Sequence, residues 1–210
     1  MEVVKLSEAQ LDALREVGNI GAGHASTALA QMIGKKVYVK VPLTALVEVE
    51  KIPEVVGGME TLIVGIYLRL LGDIRGTALL TFKKDQALYL ANLMLGKEDD
   101  PLDVMNEENK SAIMELGNIL SGSYMTALSA FMGLNIVPSV PYMAYDMVGA
   151  VLDLLLIDLS QTVEHALIIE TEFATPQEIL GGEFLMFFEP NSYMKILKAL
   201  GMYEEPAVSK

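Results

Sequence analysis

The chain contains no cysteine. That excludes disulfide bridges, a thiolate nucleophile and cysteine-based zinc sites. Histidine is scarce: His24 and His165 are the two present, which argues against a histidine-centred metal site or a phosphohistidine relay. Basic residues are in the minority, with 15 Lys and Arg against 28 Asp and Glu and a formal net charge of −13. Lys35-Lys36 and Lys83-Lys84 are isolated pairs, not the basic stripe that nucleic-acid binding needs. The acidic excess serves solubility and favours basic partners over anionic membranes. No apolar run is long enough to span a bilayer, because the most apolar stretch, 148–159, is broken by Asp153 and Asp158. The start, Met1-Glu2-Val3-Val4-Lys5, carries no signal-peptide pattern. The Glu98-Asp99-Asp100 run lacks the spacing of a calcium loop and reads as solvated linker. These absences are compatible with a soluble chain in a reducing cytoplasm, with neither a metal nor a cofactor expected of its own.

What is present is a large apolar fraction, 52% of 210 residues, enough for a sizeable core. The 13 methionines are scattered and read as core filler. The strongest organising signal is an internal repeat, in which 16–42 aligns with 115–141 at an offset of 99 residues, Glu16 against Glu115. Identical pairs are Glu16/Glu115, Gly18/Gly117, Asn19/Asn118, Ile20/Ile119, Gly23/Gly122, Thr27/Thr126, Ala28/Ala127, Leu29/Leu128, Gly34/Gly133, Val41/Val140 and Pro42/Pro141. A repeat of that length implies two similar halves, not a solenoid.

Local patterns fill in the halves. Ser7 with Gln10 is a capping-box signature, and Leu11, Leu14, Val17, Leu29 and Met32 recur at helical spacing. They predict a helix over 8–33 closed by Gly34. A strand is expected within 36–47, and a strand pair over 61–71 and 76–82 around Gly72-Asp73. A helix over 85–95 follows. Asn106 should cap a second long helix over 107–132. A short strand over 134–137, a helix over 142–156 with no counterpart in the first half, strands over 163–173 and 182–188, and a helix over 191–200 complete the reading. The expected fold is α+β, an αβ sandwich. Two pseudo-twofold-related halves lay long helices on a mixed, mostly antiparallel sheet. The single domain divides into a first repeat at about 6–96, an acidic linker at 97–108, a second repeat at 109–201 and a disordered tail at 204–210.

The repeat carries chemistry as well as packing. Asp12, Glu16 and Asn19 fall on one helix face, and so do Ser111, Glu115 and Asn118. Each set is followed 23 residues after its asparagine by a proline, Pro42 or Pro141. An acid one turn from a carboxamide is exposed unless paired. The amide both donates and accepts hydrogen bonds, so it can hold an attacking water in line with a phosphoryl group. The acid can grip a lysine on a partner. A single acid–amide pair is ordinarily just a solvated helix face. The full spaced pattern, however, is expected by chance at only about 10⁻⁵ per start position, and it occurs twice. Gly18, Gly21 and Gly23 follow a helix instead of a strand, so close helix packing, not a phosphate loop, accounts for them.

The segments Asp12-Ala13-Leu14-Arg15-Glu16-Val17-Gly18-Asn19-Ile20-Gly21-Ala22-Gly23 and Ser111-Ala112-Ile113-Met114-Glu115-Leu116-Gly117-Asn118-Ile119 resemble the CheC/CheX/FliY family of chemotaxis phosphatases. That family's motif is Asp or Ser, three residues, Glu, two residues, Asn, twenty-two residues, Pro. The resemblance extends from about residue 6 to 201. Two motifs, and no flagellar-switch domain before Lys210, favour its CheC branch. It implies hydrolysis of the aspartyl phosphate on the response regulator CheY. Glu16 and Glu115 would contact the receiver's lysine, Asn19 and Asn118 would orient water, and Asp12, Ser111, Pro42 and Pro141 would support the motif. Mg²⁺ would belong to the receiver domain. The resemblance also implies binding of the receptor deamidase CheD, for which Asp146, an acid in the apolar stretch 142–156, is the candidate residue. A monomer is expected because duplicated halves can satisfy internally the symmetry that a dimer would otherwise supply. The alternatives are a non-catalytic adaptor that sequesters CheD or CheY-P and a flagellar-switch component.

Overall fold

The computed structural model describes residues 7–97, 105–158, 165–175 and 179–201. The chain opens with helix α1, Glu8–Ile33. Its start is fixed by the expected capping box: the Ser7 side chain accepts from the Gln10 N–H, and the Gln10 side chain accepts from the Ser7 N–H. Its end is set by Gly34 at φ 73°, a left-handed conformation that favours glycine. Helix α4, Glu107–Met132, repeats the design with Asn106 as cap and Gly133 at φ 64°.

After α1 come strands β1, Tyr38–Lys40, and β2, Thr44–Glu48, then a 3-10 turn and the short helix α2, Ile52–Val56. Strands β3, Leu62–Gly72, and β4, Gly76–Lys83, form a hairpin followed by α3, Lys84–Met94. The second half runs α4, β5 (Ile136–Pro138), β6 (Tyr142–Met147), α5 (Val148–Asp158), β7 (His165–Ala174), β8 (Ile179–Phe188) and α6 (Pro190–Ala199).

Two segments differ in their elements from what the sequence predicts. The region 36–47 forms two strands, not one, because the chain breaks its ladder at 41–43, where Pro42 has no N–H to donate. The region 142–156 is a strand and then a helix, and it does have a counterpart in the first half. Strand β2 and helix α2 lie at the same repeat offset as β6 and the middle of α5. A continuous apolar run conceals the switch from one period to the other. The switch is fixed from outside the run, by Val148 N–H on the Thr61 carbonyl at 2.9 Å and Gly149 N–H on Met59 at 3.0 Å.

The eight strands form one sheet ordered β1-β7-β8-β4-β3-β5, with β2 also on β7 and β6 also on β3. Every pairing among the described strands is antiparallel, so the mixed sheet expected from sequence has no parallel pair among them. The edge strands are exchanged between halves: β1 and β2 of the first half close on β7, while β5 and β6 of the second close on β3. Strands β4 and β8 meet in the middle, Gly76 opposite Phe188 through Thr81 opposite Glu183, as a pseudo-twofold relation requires.

Strand alternation divides the core between two faces. On β8, Phe184, Met186 and Phe188 join the cluster under α1 and α4, whereas Leu185 and Phe187 join a second cluster under α2 and α5. Each fully buried side chain of this size contributes about 1.5–3 kcal/mol. The two long helices meet at Gly21, where an added Cβ would lie 2.7 Å from the Tyr124 ring. Tyr124 itself is buried and bonds the Thr171 hydroxyl at 3.0 Å, and burial pushes its phenol up to about 12.

Candidate functional site on the two long helices

Steps of four and three residues put Asp12, Glu16 and Asn19 on one stripe of α1, and all three are exposed. Leu14, Val17, Gly18 and Gly21 on the same helix face the core. On α4, Ser111, Glu115 and Asn118 are likewise exposed, opposite buried Ile113, Leu116 and Gly117. A glycine precedes each asparagine and seats the helix low on the sheet. A Cβ on Gly18 would lie 3.3 Å from the Val41 methyls, and one on Gly117 would lie 2.7 Å from the Ile66 side chain.

Asp12 pairs with Arg15 across 2.9 Å, both largely in solvent. Such a pair contributes little stability, but it holds the acid one turn before Glu16. Glu16 and Glu115 have no hydrogen-bond or ion-pair partner among the described residues. Both acids are therefore available to a cation from outside.

The amides differ between copies. Asn19 Oδ1 accepts from the Val41 N–H at 3.1 Å. The donor fixes which end of the amide faces inward, so the Nδ2 amino group is left for other partners. Val41 is buried against Gly18, and Pro42 after it restricts Val41 to extended backbone. The spacing between asparagine and proline is thus the length of chain that brings this N–H back to the helix. In the second copy, Ser139 continues the ladder on β3, donating its N–H to Arg69 at 2.9 Å and accepting from the Arg69 N–H through its hydroxyl at 3.0 Å. Val140 then points outward at 88% exposure, and Asn118 has no hydrogen-bond partner among the described residues. Pro42 is exposed and Pro141 half-buried.

Asp146 belongs to neither stripe. It is exposed at the end of β6, where its carboxylate accepts from the Met147 N–H at 2.8 Å. The contacts of Arg15 and of the Val41 N–H escape a sequence reading, although the fixed distance to Pro42 signals the second. A half-buried carboxyl on β8 also escapes it. Glu183 accepts from the Thr81 hydroxyl at 2.6 Å and stands opposite Glu170 on β7. Burial pushes its pKa up, the Thr81 bond works against this, and Glu170 adds to it.

The sequence model of the CheC-like family matches residues 10–44 and 108–143, the two segments that hold both stripes and both prolines. The CheY-P phosphatase CheC of Bacillus subtilis (strain 168) is 37% identical over 200 residues, covering 93% of this chain and 96% of that protein. The flagellar motor switch phosphatase FliY of the same organism is 31% identical over 129 residues, 61% of this chain but 33% of that longer protein. Among solved structures, Thermotoga maritima FliY matches with a TM-score of 0.72 at 19% identity, covering 96% of this chain and 100% of that one. The FliM middle domain of Vibro alginolyticus matches at 0.64 and 16%, covering 90% and 99%. At those identities the structural likeness concerns the fold alone. The identity to the Bacillus CheC, sustained over nearly the full length of both chains, decides the relationship: this protein belongs to the CheC-like family.

Proposed function

We propose that this protein is a phosphatase for the aspartyl phosphate of a CheY-type receiver domain, working through Glu16 with Asn19 and Glu115 with Asn118. The observation that carries the reading is that each asparagine is exposed one turn from a glutamate that has no partner among the described residues, on a helix whose other face is locked into the core. An acyl phosphate is already reactive, so the protein need supply no nucleophile. Fixing a water in line with phosphorus is a sufficient contribution. At Asn19, whose oxygen is held by the Val41 N–H, the Nδ2 amino group donates a hydrogen bond to that water, at Asn118 the amide oxygen accepts one from it, and in both copies the acid grips the receiver's lysine, which sets the register. Mg²⁺, held by the receiver, neutralises charge on the phosphoryl oxygens.

The test is phosphate release from a phosphorylated receiver with the wild type and with Asn19→Ala plus Asn118→Ala. The double variant should stay folded, still bind the receiver and lose the acceleration. Release that is equally slow with and without the wild-type protein would favour the adaptor reading.

Binding of the deamidase CheD is proposed at the β6–α5 junction, where exposed Asp146 is flanked by Tyr145 and Met147, apolar side chains 39% and 47% exposed. Titrating Asp146→Arg against purified CheD should show weakened binding with phosphatase activity retained; unchanged affinity removes Asp146 from the interface.

A further inference from the structure

Most of the glycines in or beside the two long helices have a reason inside the fold. Gly18, Gly21 and Gly117 sit where a Cβ would meet a neighbour at 3.3 Å or less, and Gly34 and Gly133 adopt left-handed backbone. Gly23 and Gly122 have neither reason. Both lie in mid-helix without positive φ, and nothing stands within 4 Å of where a Cβ would be. A glycine there weakens the helix and gains no packing, so close helix packing, expected from sequence for Gly23, does not account for it. Both halves of the chain nonetheless keep it at the same place.

That place is four residues after the asparagine, the next position along the same stripe. One turn further, the Thr27 hydroxyl donates to the Gly23 carbonyl at 3.0 Å and the Thr126 hydroxyl to the Gly122 carbonyl at 2.7 Å. The threonine side chains are thereby folded back onto the helix. Each amide is thus followed by a bare turn of backbone with its next side chain tied down.

We infer that Gly23 and Gly122 are clearance positions, at which the rim of the receiver's active site rests against the helix backbone so that the neighbouring amide reaches the phosphoryl group. The inference rests on the phosphatase reading above and adds a determinant of partner fit to it. A side chain at either position would hold the receiver off by about its own thickness. A displacement of roughly 1 Å at the reacting centre is enough to cost orders of magnitude in rate.

The experiment compares Gly23→Ala/Gly122→Ala and Gly23→Leu/Gly122→Leu with the wild type and with Asn19→Ala/Asn118→Ala. Three quantities are read: thermal midpoint, kcat/KM on phosphorylated receiver, and affinity for beryllofluoride-loaded receiver. Clearance predicts that the alanine pair raises the midpoint by about 2–8 °C. It also predicts that the leucine pair loses at least about tenfold in kcat/KM and in affinity, while remaining folded. A merely structural glycine would instead lower the midpoint. Leucine variants within twofold of wild type on both functional readouts overturn the inference. If that happens while the asparagine pair still abolishes acceleration, only the clearance role falls. If the asparagine pair keeps the acceleration, the phosphatase reading falls first.

Discussion

Asn19 and Asn118 occupy matching positions and meet different surroundings, and the difference is measurable as stability. Removing the Asn19 amide strands the part-buried Val41 N–H, which should cost about 1–2 kcal/mol. Removing the Asn118 amide, which has no partner among the described residues, should change stability by no more than about 0.5 kcal/mol. Urea denaturation of Asn19→Ala and Asn118→Ala checks both, and equal losses would contradict the asymmetry. Glu183 gives a second residue-scale prediction. Its folded pKa is raised, so its contribution is full below the unfolded carboxyl pKa and is lost as pH rises through the folded value. Glu183→Gln can still accept from Thr81 but cannot ionise. It should therefore be more stable than wild type at pH 7, with the gap closing below about pH 4.3, the ordinary glutamate range. A gap that widens on acidification would reverse the sign argued here.

Along α1, two glycines two residues apart should respond in opposite directions. Gly21→Ala drives a methyl into Tyr124 and the Ser123 carbonyl at the helix crossing, for a loss of about 1–3 kcal/mol. Gly23→Ala meets open space and should gain about 0.5–1 kcal/mol. Thermal denaturation of the two single variants decides it. At this scale the sequence was informative where the chain announces its own boundaries. Ser7, Gln10, Gly34, Asn106 and Gly133 delimit both long helices within a residue, because caps act through local hydrogen bonds and glycine's tolerance of positive φ. The acid–amide stripes were legible for a similar reason, since helix periodicity alone puts them on one face. The β6–α5 segment was illegible because its boundary depends on Thr61 and Met59, 87 and 90 residues before their partners Val148 and Gly149 in the chain. The Val41 tether was hidden in the same way: its partner lies 22 residues away in sequence, and only the fold brings the two together.

For the whole molecule, the exchange of edge strands means that neither half owns a complete sheet. A fragment spanning 7–97 would leave β1 and β2 without β7 and β4 without β8, exposing apolar residues on both sheet faces. The two halves, expressed separately, should each be unfolded or aggregated by circular dichroism and should regain structure when mixed; independent cooperative folding of 7–97 would contradict this. The same architecture places two acid–amide stripes on helices that brace each other at Gly21 and Tyr124, so each amide is presented from a rigid support. On the proposed mechanism these amides, not the bulk of the surface, shorten the life of a partner's acyl phosphate. The decisive measurement is single-turnover decay of a labelled phospho-receiver with saturating Asn19→Ala/Asn118→Ala protein. The label should decay at the receiver's own unassisted rate even though the complex forms; decay as fast as with the wild-type protein would refute the mechanism.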